Sequence, residues 1–326
     1  MAEFSAALAT NRQWLPLGVP RPACATMGGV LATNTSGPFR LFYGTARDMV
    51  IGMRFATVEG KVVKSGGMVV KNVAGYDMTK LMIGSLGTLA VITDVNVRVF
   101  PRPATETAVL GFSTLAGALE ARQAILNSVL SPLALDLLDA AAAALVAPQE
   151  LPPGEFVLAV AYGGVERVLE RCRREVAALG RAAQAQATFS GEQEQRLWGA
   201  ICDLPATLAA AHPQSVRIKV STTLEAMRPV LEHVALISGG EAVMVARAGS
   251  GISYVYGRGG DLAGFCRGVR ERATAHGGYA VIESAPNAVK AQVDVWGPRC
   301  DDYLVMRKLK EAFDPNNILN PGRFLC

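Results

Sequence analysis

Gly84-Ser-Leu-Gly87-Thr88-Leu89-Ala-Val-Ile92-Thr-Asp-Val-Asn-Val-Arg-Val-Phe100, closed by Pro101-Arg-Pro103, is the stretch that decides the fold. Leu89 to Phe100 is a β-branched and apolar run, and its late half alternates apolar with polar residues, the period of a strand with one buried face. A glycine turn precedes it and two prolines stop it, which places a domain boundary at residues 101–103. Upstream, Met49 to Thr57, the turn Glu59-Gly60 and Lys61 to Lys64 read as a hairpin. Met78 to Ile83 reads as a short helix. Residues 1–103 are thus expected to form one glycine-rich, strand-bearing domain.

Downstream the pattern changes. Strands are expected at Thr107–Phe112, Phe156–Tyr162, Ser215–Ser221, Ala242–Ala246, Ile252–Tyr256 and Ala280–Glu283, alternating with helices at Leu115–Leu130, Val165–Gly180, Thr223–His233 and Leu262–His276. Strands interleaved with helices on this scale imply an α+β domain of mainly antiparallel sheet over residues 104–296. The alanine run Ala140–Ala144 favours helix and carries no functional signal. The last segment, 297–326, holds a helix at Asp302–Phe313 that stops at Asp314-Pro315, then the loop Asn316 to Arg323.

Half of the 326 residues are hydrophobic and 18% are charged, with 32 basic against 28 acidic side chains and a net charge of +4. That is enough apolar material for more than one ordinary domain. Both signs are spread along the chain without a basic stripe, which argues against a nucleic-acid partner. The cysteines (Cys24, Cys172, Cys202, Cys266, Cys300, Cys326) form no C-x-x-C pair, so neither a structural zinc nor an iron–sulfur site is expected, and reduced cytoplasmic thiols are the plain reading. His212, His233 and His276 lie too far apart to suggest a ligand set, and no metal is expected. The most apolar window, Leu133–Ala147, is interrupted by Asp136 and Asp139 and falls short of the roughly 20 residues of a membrane span.

Four segments could carry chemistry. The first is Thr26-Met-Gly28-Gly29-Val-Leu-Ala-Thr33-Asn34-Thr-Ser36-Gly37, whose paired glycines permit tight turns and close backbone approach, with hydroxyls able to meet phosphate oxygens. The second is Tyr43-Gly44-Thr-Ala-Arg47-Asp48. The third joins Lys71-Asn-Val-Ala-Gly75-Tyr76-Asp77 to Gly84-Ser-Leu-Gly87-Thr88 before the strand, where small residues leave room for a flat ring. The fourth is Asn320-Pro321-Gly322-Arg323 near the end. Taken singly, each also reads as a plain connection or a loop with a surface ion pair.

Together, in this order and spacing, the four resemble the PCMH-type FAD-binding domain shared by vanillyl-alcohol oxidase, D-lactate dehydrogenase and glycolate oxidase. T-M-G-G-V-L-A-T-N-T-S-G is similar to that family's glycine loop along the FAD pyrophosphate and ribityl chain. K-N-V-A-G-Y-D with G-S-L-G-T-L-A-V-I-T is similar to its paired signature, and N-P-G-R to its returning C-terminal segment. The S-L-G-T wording points to the FAD-binding subunit of bacterial glycolate oxidase. The resemblance implies FAD contacts from Thr26, Gly28, Gly29, Thr33, Ser36, Gly37, Gly44, Asp48, Lys71, Tyr76, Gly87, Thr88, Ile92, Asn320 and Arg323. It assigns no catalytic residue.

Two features depart from the family. Met1 begins at what resembles the last helix of a first subdomain, Ala2–Thr10, followed by strand-like Gln13–Leu17, so that subdomain is expected to be largely missing. The G-D-G-N-x-H type of motif, which many 2-hydroxy-acid oxidising members bear, has no counterpart. Arg217, Lys219, Arg247 and Arg258 have the chemistry to bind a carboxylate, although each reads first as an ordinary surface cation. Cys24, the one residue of the first domain suited to covalent flavin attachment, is expected to be a buried thiol, so FAD should be held non-covalently. The implied function is the FAD-binding subunit of a glycolate oxidase-like enzyme. It would act on a small 2-hydroxy acid such as glycolate beside a second flavin subunit and an iron–sulfur subunit, in the cytoplasm or at the inner membrane through partners. The alternatives are a stand-alone D-lactate-type dehydrogenase and a flavin-free assembly subunit.

Overall fold

Residues 1–67, 75–147, 150–299 and 301–324 are described by the computed structural model. The chain divides into two units, Met1–Arg102 with Pro298–Cys326, and Pro103–Gly297.

The first unit opens with helix α1 (Ala2–Ala9), strand β1 (Gln13–Trp14) and three short helices, α2 (Met27–Ala32), α3 (Arg40–Tyr43) and α4 (Ala46–Met49). Strands β2 (Val50–Ala56) and β3 (Val62–Gly66), helix α5 (Met78–Met82) and strands β4 (Val91–Val97) and β5 (Phe100–Pro101) follow. The β2–β3 hairpin forms as its sequence implies: Gly60, at φ +76°, closes the turn with its amide on the Thr57 carbonyl at 3.0 Å. Strand β2 lies between β3 and β4, antiparallel to both. Its alternation puts Met53 and Phe55 inside while Arg54 stays exposed. Those two meet Leu31, Met49 and Met82, all at 2% exposure or less, in one core. Each such side chain contributes roughly 1.5–3 kcal/mol by leaving water.

Two details differ from the sequence pattern. Met49 ends a helix instead of starting the strand, because Thr45 and Asp48 close a capping box around α4. The run Leu89–Phe100 splits into β4 and the short β5, which pairs with β1.

The second unit carries β6 (Thr105–Phe112), α6 (Leu115–Leu126), β7 (Ala134–Asp139), α7 (Ala140–Val146), β8 (Phe156–Gly163) and α8 (Glu166–Leu179). It continues with β9 (Ala185–Ser190), α9 (Gly191–Ala211), β10 (Val216–Ser221), α10 (Met227–Ser238), β11 (Ala242–Arg247) and β12 (Ile252–Gly257). Helix α11 (Leu262–Ala275), strand β13 (Tyr279–Ser284) and helix α12 (Asn287–Lys290) complete it, and α13 (Tyr303–Phe313) belongs to the first unit. The eight strands form one sheet, ordered β13-β10-β12-β11-β7-β8-β6-β9, with every neighbouring pair antiparallel. The protein is therefore α+β, and the expected antiparallel sheet is present with two strands more than the pattern gave. One of them, β7, occupies the apolar window at Leu133. Its last residue, Asp139, turns the chain into α7 by accepting the Ala142 amide at 2.7 Å, and accepts the Met244 amide at 2.8 Å. Helix α9 is tied to β6 by Trp198, whose Nε1 donates to Thr107 Oγ1 at 2.8 Å, and by Glu194, which accepts from Thr105 and Thr107.

Candidate functional site

Three of the four segments meet in the first unit. Residues Thr26–Gly37 were expected as a glycine loop, but Met27–Ala32 is helical, with Thr26 as its N-cap accepting the Gly29 amide at 3.1 Å. A capped start and the burial of Val30 and Leu31 outweigh the helix penalty of two glycines. At the other end of α2 the Gly84–Thr88 turn docks on its carbonyls: Gly84 donates to Leu31 O at 3.0 Å and Leu86 to Ala32 O at 2.7 Å. Gly28 faces the following strand, and a Cβ built there would lie 3.5 Å from Ile92 O.

The tail closes on the same turn. Asn320 donates through Nδ2 to Leu86 O at 2.7 Å. Lys310, with only 8% of its side chain exposed, donates through Nζ to Thr88 O and Leu319 O at 3.0 Å each, and to the Asp314 carboxylate. Asp314 in turn accepts the amides of Ile318 (3.0 Å) and Leu319 (2.7 Å). Burial pushes its carboxyl upward, but the Lys310 bond and the two amides outweigh that and hold it below the usual carboxylate range. Leu86 sits at φ +56° and Gly87 at φ +69°. Leu86 tolerates this strained region because both of its backbone polar groups are bonded. Gly87 has a second constraint, since a Cβ there would fall 2.7 Å from Asn320 Nδ2. We expect Gly87→Ala to displace Asn320 and destabilise the first unit by about 1–3 kcal/mol, read as a shift in the denaturation midpoint. An unshifted midpoint would show that the turn yields freely.

The remaining sequence-derived positions play local roles. Gly37 approaches the Gly18 backbone so closely that a Cβ would stand 2.6 Å from it. Ser36, buried, accepts from Arg40 Nη1 at 2.9 Å. Thr33 Oγ1 donates to Gly29 O at 2.8 Å. Gly44 ends α3 at φ +83°, and Asp48 accepts the amide and hydroxyl of Thr45. That amide bond, chiefly, holds the Asp48 carboxyl below its ordinary range. Tyr76 is 93% exposed, and Arg323 is exposed too. Lys71 lies outside the described residues, with Asn72, Val73 and Ala74. Cys24 is exposed, which corrects the expected buried thiol: it sits on the surface turn where its amide bonds Arg21 O. Lys310, Asp314, Leu86 and Asn34 were not among the site residues named from the sequence; for Lys310 and Asp314 the signal was their i,i+4 spacing.

The junction of α2 and the Gly84 turn fits FAD in one testable respect. Asn34, at φ +48°, holds a buried Oδ1 without a hydrogen-bond partner among the described residues, and its Cβ lies 3.5 Å from where Gly84 would carry one. A ligand bearing hydroxyl and N–H donors would satisfy that acceptor. Among the described residues no group of three or more His, Cys, Asp or Glu could hold a metal ion, and no helix is long and apolar enough to cross a membrane.

In the second unit the four flagged cations part company. Arg247, 7% exposed, is ion-paired with the fully buried Asp136, so it is no surface cation. Arg217 stands 2.9 Å from Glu283, and Arg258 donates to the Glu241 carbonyl at 3.2 Å. Lys219 projects from the middle of β10.

Comparison with known proteins defines the class. The family described as FAD binding domain matches residues 1–80, and that of FAD linked oxidases, C-terminal domain, matches 102–249 and 299–324. The second match alone covers more than half of the chain, and the protein belongs to the FAD-linked oxidases, flavoprotein oxidoreductases whose cofactor is FAD. It is 27% identical to the glycolate oxidase subunit GlcD of Bacillus subtilis (strain 168) over 325 residues, 93% of this chain and 68% of that one. It is 28% identical to the D-lactate dehydrogenase of Archaeoglobus fulgidus over 93% of this chain and 70% of that one. The glycolate oxidase subunit GlcE of Escherichia coli (strain K12) is 44% identical over 104 residues, 32% of this chain and 30% of that one. Two solved structures of alkyldihydroxyacetonephosphate synthase share the fold, with TM-scores of 0.65 and 0.68 at 19% and 18% identity. They match 99% and 98% of this chain, which spans 62% of their length.

Proposed function

We propose that this chain is the FAD-binding subunit of a glycolate oxidase-like enzyme, oxidising a small 2-hydroxy acid and delivering the electrons to a partner. The observation that carries the reading is the meeting of α2, the Gly84–Thr88 turn and Asn320 in one place, where Asn34 Oδ1 lacks a partner among the described residues. Bound FAD would supply the two-electron acceptor for the hydrogen on the substrate's α-carbon. The chain's own task is placement. Gly28 and Gly29 offer α2 without side chains in the way, Thr26 and Thr33 present hydroxyls, and Gly87, Thr88 and Ile92 border the turn and strand beside them. Asn320 fixes the turn from the tail, with Arg323 three residues on. Ser36, Gly37, Gly44 and Asp48 shape the neighbouring backbone, and Lys71 and Tyr76 belong to the same proposed cofactor set. Likeness to a glycolate oxidase subunit and a D-lactate dehydrogenase over nine-tenths of the chain supports a 2-hydroxy acid as substrate. A second flavin subunit and an iron–sulfur subunit remain part of this proposal as electron acceptors.

The test is anaerobic mixing of FAD-loaded protein with glycolate or D-lactate. Glycolate should bleach the flavin absorbance near 450 nm to the reduced spectrum. Reduction by D-lactate alone would move the reading to a D-lactate dehydrogenase. Bound FAD that neither acid reduces would overturn the oxidase reading.

A further inference from the structure

Residues 1–102 carry eleven Lys and Arg against five Asp and Glu. Several of those cations are engaged locally. Lys61 pairs with Glu59 and Lys80 with Asp77, while Arg40 donates to Ser36 and Arg47 to the Lys80 carbonyl. Arg12, Arg98 and Arg102 are different. All three are exposed, and none has an ion pair or a side-chain hydrogen bond among the described residues.

The three converge on the ribbon of β1 and β5. Trp14 pairs with Phe100 and Gln13 with Pro101. The Arg102 amide donates to the Arg12 carbonyl at 2.9 Å and carries the pairing one residue further, so the two arginines stand opposite each other. Arg98 lies over the Phe100 ring, 4.9 Å from its centroid. Like charges set across a strand pair repel, and among the described residues no carboxylate relieves them. Beside the arginines is a set of edge-to-face rings. Tyr43 stands 5.3 Å from Trp14 and 4.9 Å from Phe100, and Phe42, 53% exposed, lies 4.9 Å from Tyr43. An exposed ring at the rim of a fixed aromatic cluster offers apolar contact at little entropic cost.

This combination selects its occupant. Arginine and aromatic residues are enriched at protein–protein interfaces, where lysine is depleted. All three unpaired cations here are arginines, whose planar guanidinium meets a carboxylate in a bidentate fork. An anionic lipid surface takes lysine as readily as arginine. We propose that the Arg12–Arg98–Arg102 face of the β1–β5 ribbon, rimmed by Phe42, docks an acidic surface of a partner protein. The site goes beyond the cofactor reading and stands whether or not either hydroxy acid reduces the flavin.

The probe is a fluorescein-labelled glutamate–tyrosine copolymer, titrated with the full chain and followed by fluorescence anisotropy. Polyglutamate and phosphatidylserine vesicles are run in parallel. Wild type should bind the copolymer more tightly than polyglutamate, because tyrosine can pack on Phe42, and more tightly than the vesicles. Replacing all three arginines (Arg12→Gln, Arg98→Gln, Arg102→Gln) should weaken the copolymer at least tenfold, and Phe42→Ser several-fold. FAD affinity should be unchanged, and the melting temperature should hold or rise as the opposed charges are removed. A control that removes the same charge from the β2–β3 hairpin (Arg54→Gln, Lys61→Gln, Lys64→Gln) should bind as wild type does. Absence of copolymer binding, an equal loss in the control, or tighter binding to the vesicles would overturn the assignment. A fall in FAD affinity in the triple variant would also overturn it, by placing these arginines at the cofactor instead.

Discussion

Arg247→Met is expected to destabilise the second unit by about 3–5 kcal/mol at pH 8, and by clearly less at pH 5. Among the described residues the guanidinium is the sole ionic partner of Asp136, which has no solvent exposure and whose second oxygen is unbonded. Burial already raises the Asp136 carboxyl despite the pull of Arg247. Removing the arginine deletes that pull, so the folded-state pKa rises further while the unfolded value stays near about 3.9. A carboxyl whose folded pKa is raised holds more protons folded than unfolded between those two values, so stability falls as pH climbs through that window. The penalty of the variant should therefore grow from pH 5 to pH 8. Asp139, pushed by burial up to about 6, gives wild type a shallower slope of the same sign. The quantity to compare is thus the wild-type-minus-variant difference at each pH, from urea denaturation of the full chain. Adding Asp136→Leu to Arg247→Met should recover most of the loss, because it is the unpaired ion that is costly. Equal penalties at both pH values, or no rescue by the double substitution, would show that Arg247 acts through packing alone.

What the sequence disclosed and what it hid follow from how each element is stabilised. The hairpin at residues 50–66 and strands β6, β8, β11 and β12 were legible, since alternation or an unbroken apolar run between turn residues states their burial directly. Strand β7 was not, because Asp136 and Asp139 inside the apolar window look like interruptions until the partners of each, 100 residues or more away, are known. Helix α9 was hidden for a related reason. Gly191, Gly199 and Pro205 depress its helical signal, and tertiary bonds from Trp198 and Glu194 supply what propensity withholds. At the candidate site the order of glycine motifs was readable, but their local conformation was not. The pair Gly28-Gly29 suggests a loop, and the Thr26 cap makes a helix of it. The tail's return was implied by the resemblance at Asn320–Arg323, but its Lys310 anchor was hidden because that contact joins Lys310 to Thr88, residues 222 positions apart, through a backbone carbonyl that any residue would provide.

The buried lysine of the tail gives the second large expectation. Lys310→Met should cost the first unit about 3–5 kcal/mol and weaken FAD binding at least tenfold. In wild type one ammonium serves three acceptors, Thr88 O, Leu319 O and Asp314, and leaves no unpaired charge inside. Methionine fills similar space without donors, so a buried carbonyl at Thr88 and a partly buried one at Leu319 lose their partner and Asp314 loses its counter-ion. The amides of Ile318 and Leu319 still hold Asp314, so the 318–320 turn itself should survive. What fails is its attachment to the Gly84–Thr88 turn, leaving the Asn320 bond to Leu86 to bear the connection alone. Trypsin reports this directly, since Arg307, Lys308 and Arg323 flank the attachment. Cleavage there should accelerate in the variant while sites in the second unit are cut at the wild-type rate. The same attachment should respond to acid in wild type. Because the folded Asp314 carboxyl is held below its ordinary value, its contribution is complete above the unfolded pKa of about 3.9 and is lost as pH falls through the lower, folded value. Tail protection from an acid-active protease should be complete down to about pH 4 and be lost progressively as the pH falls further. A Lys310→Met protein with a protected tail and wild-type FAD affinity would refute the lysine's role in holding the site together.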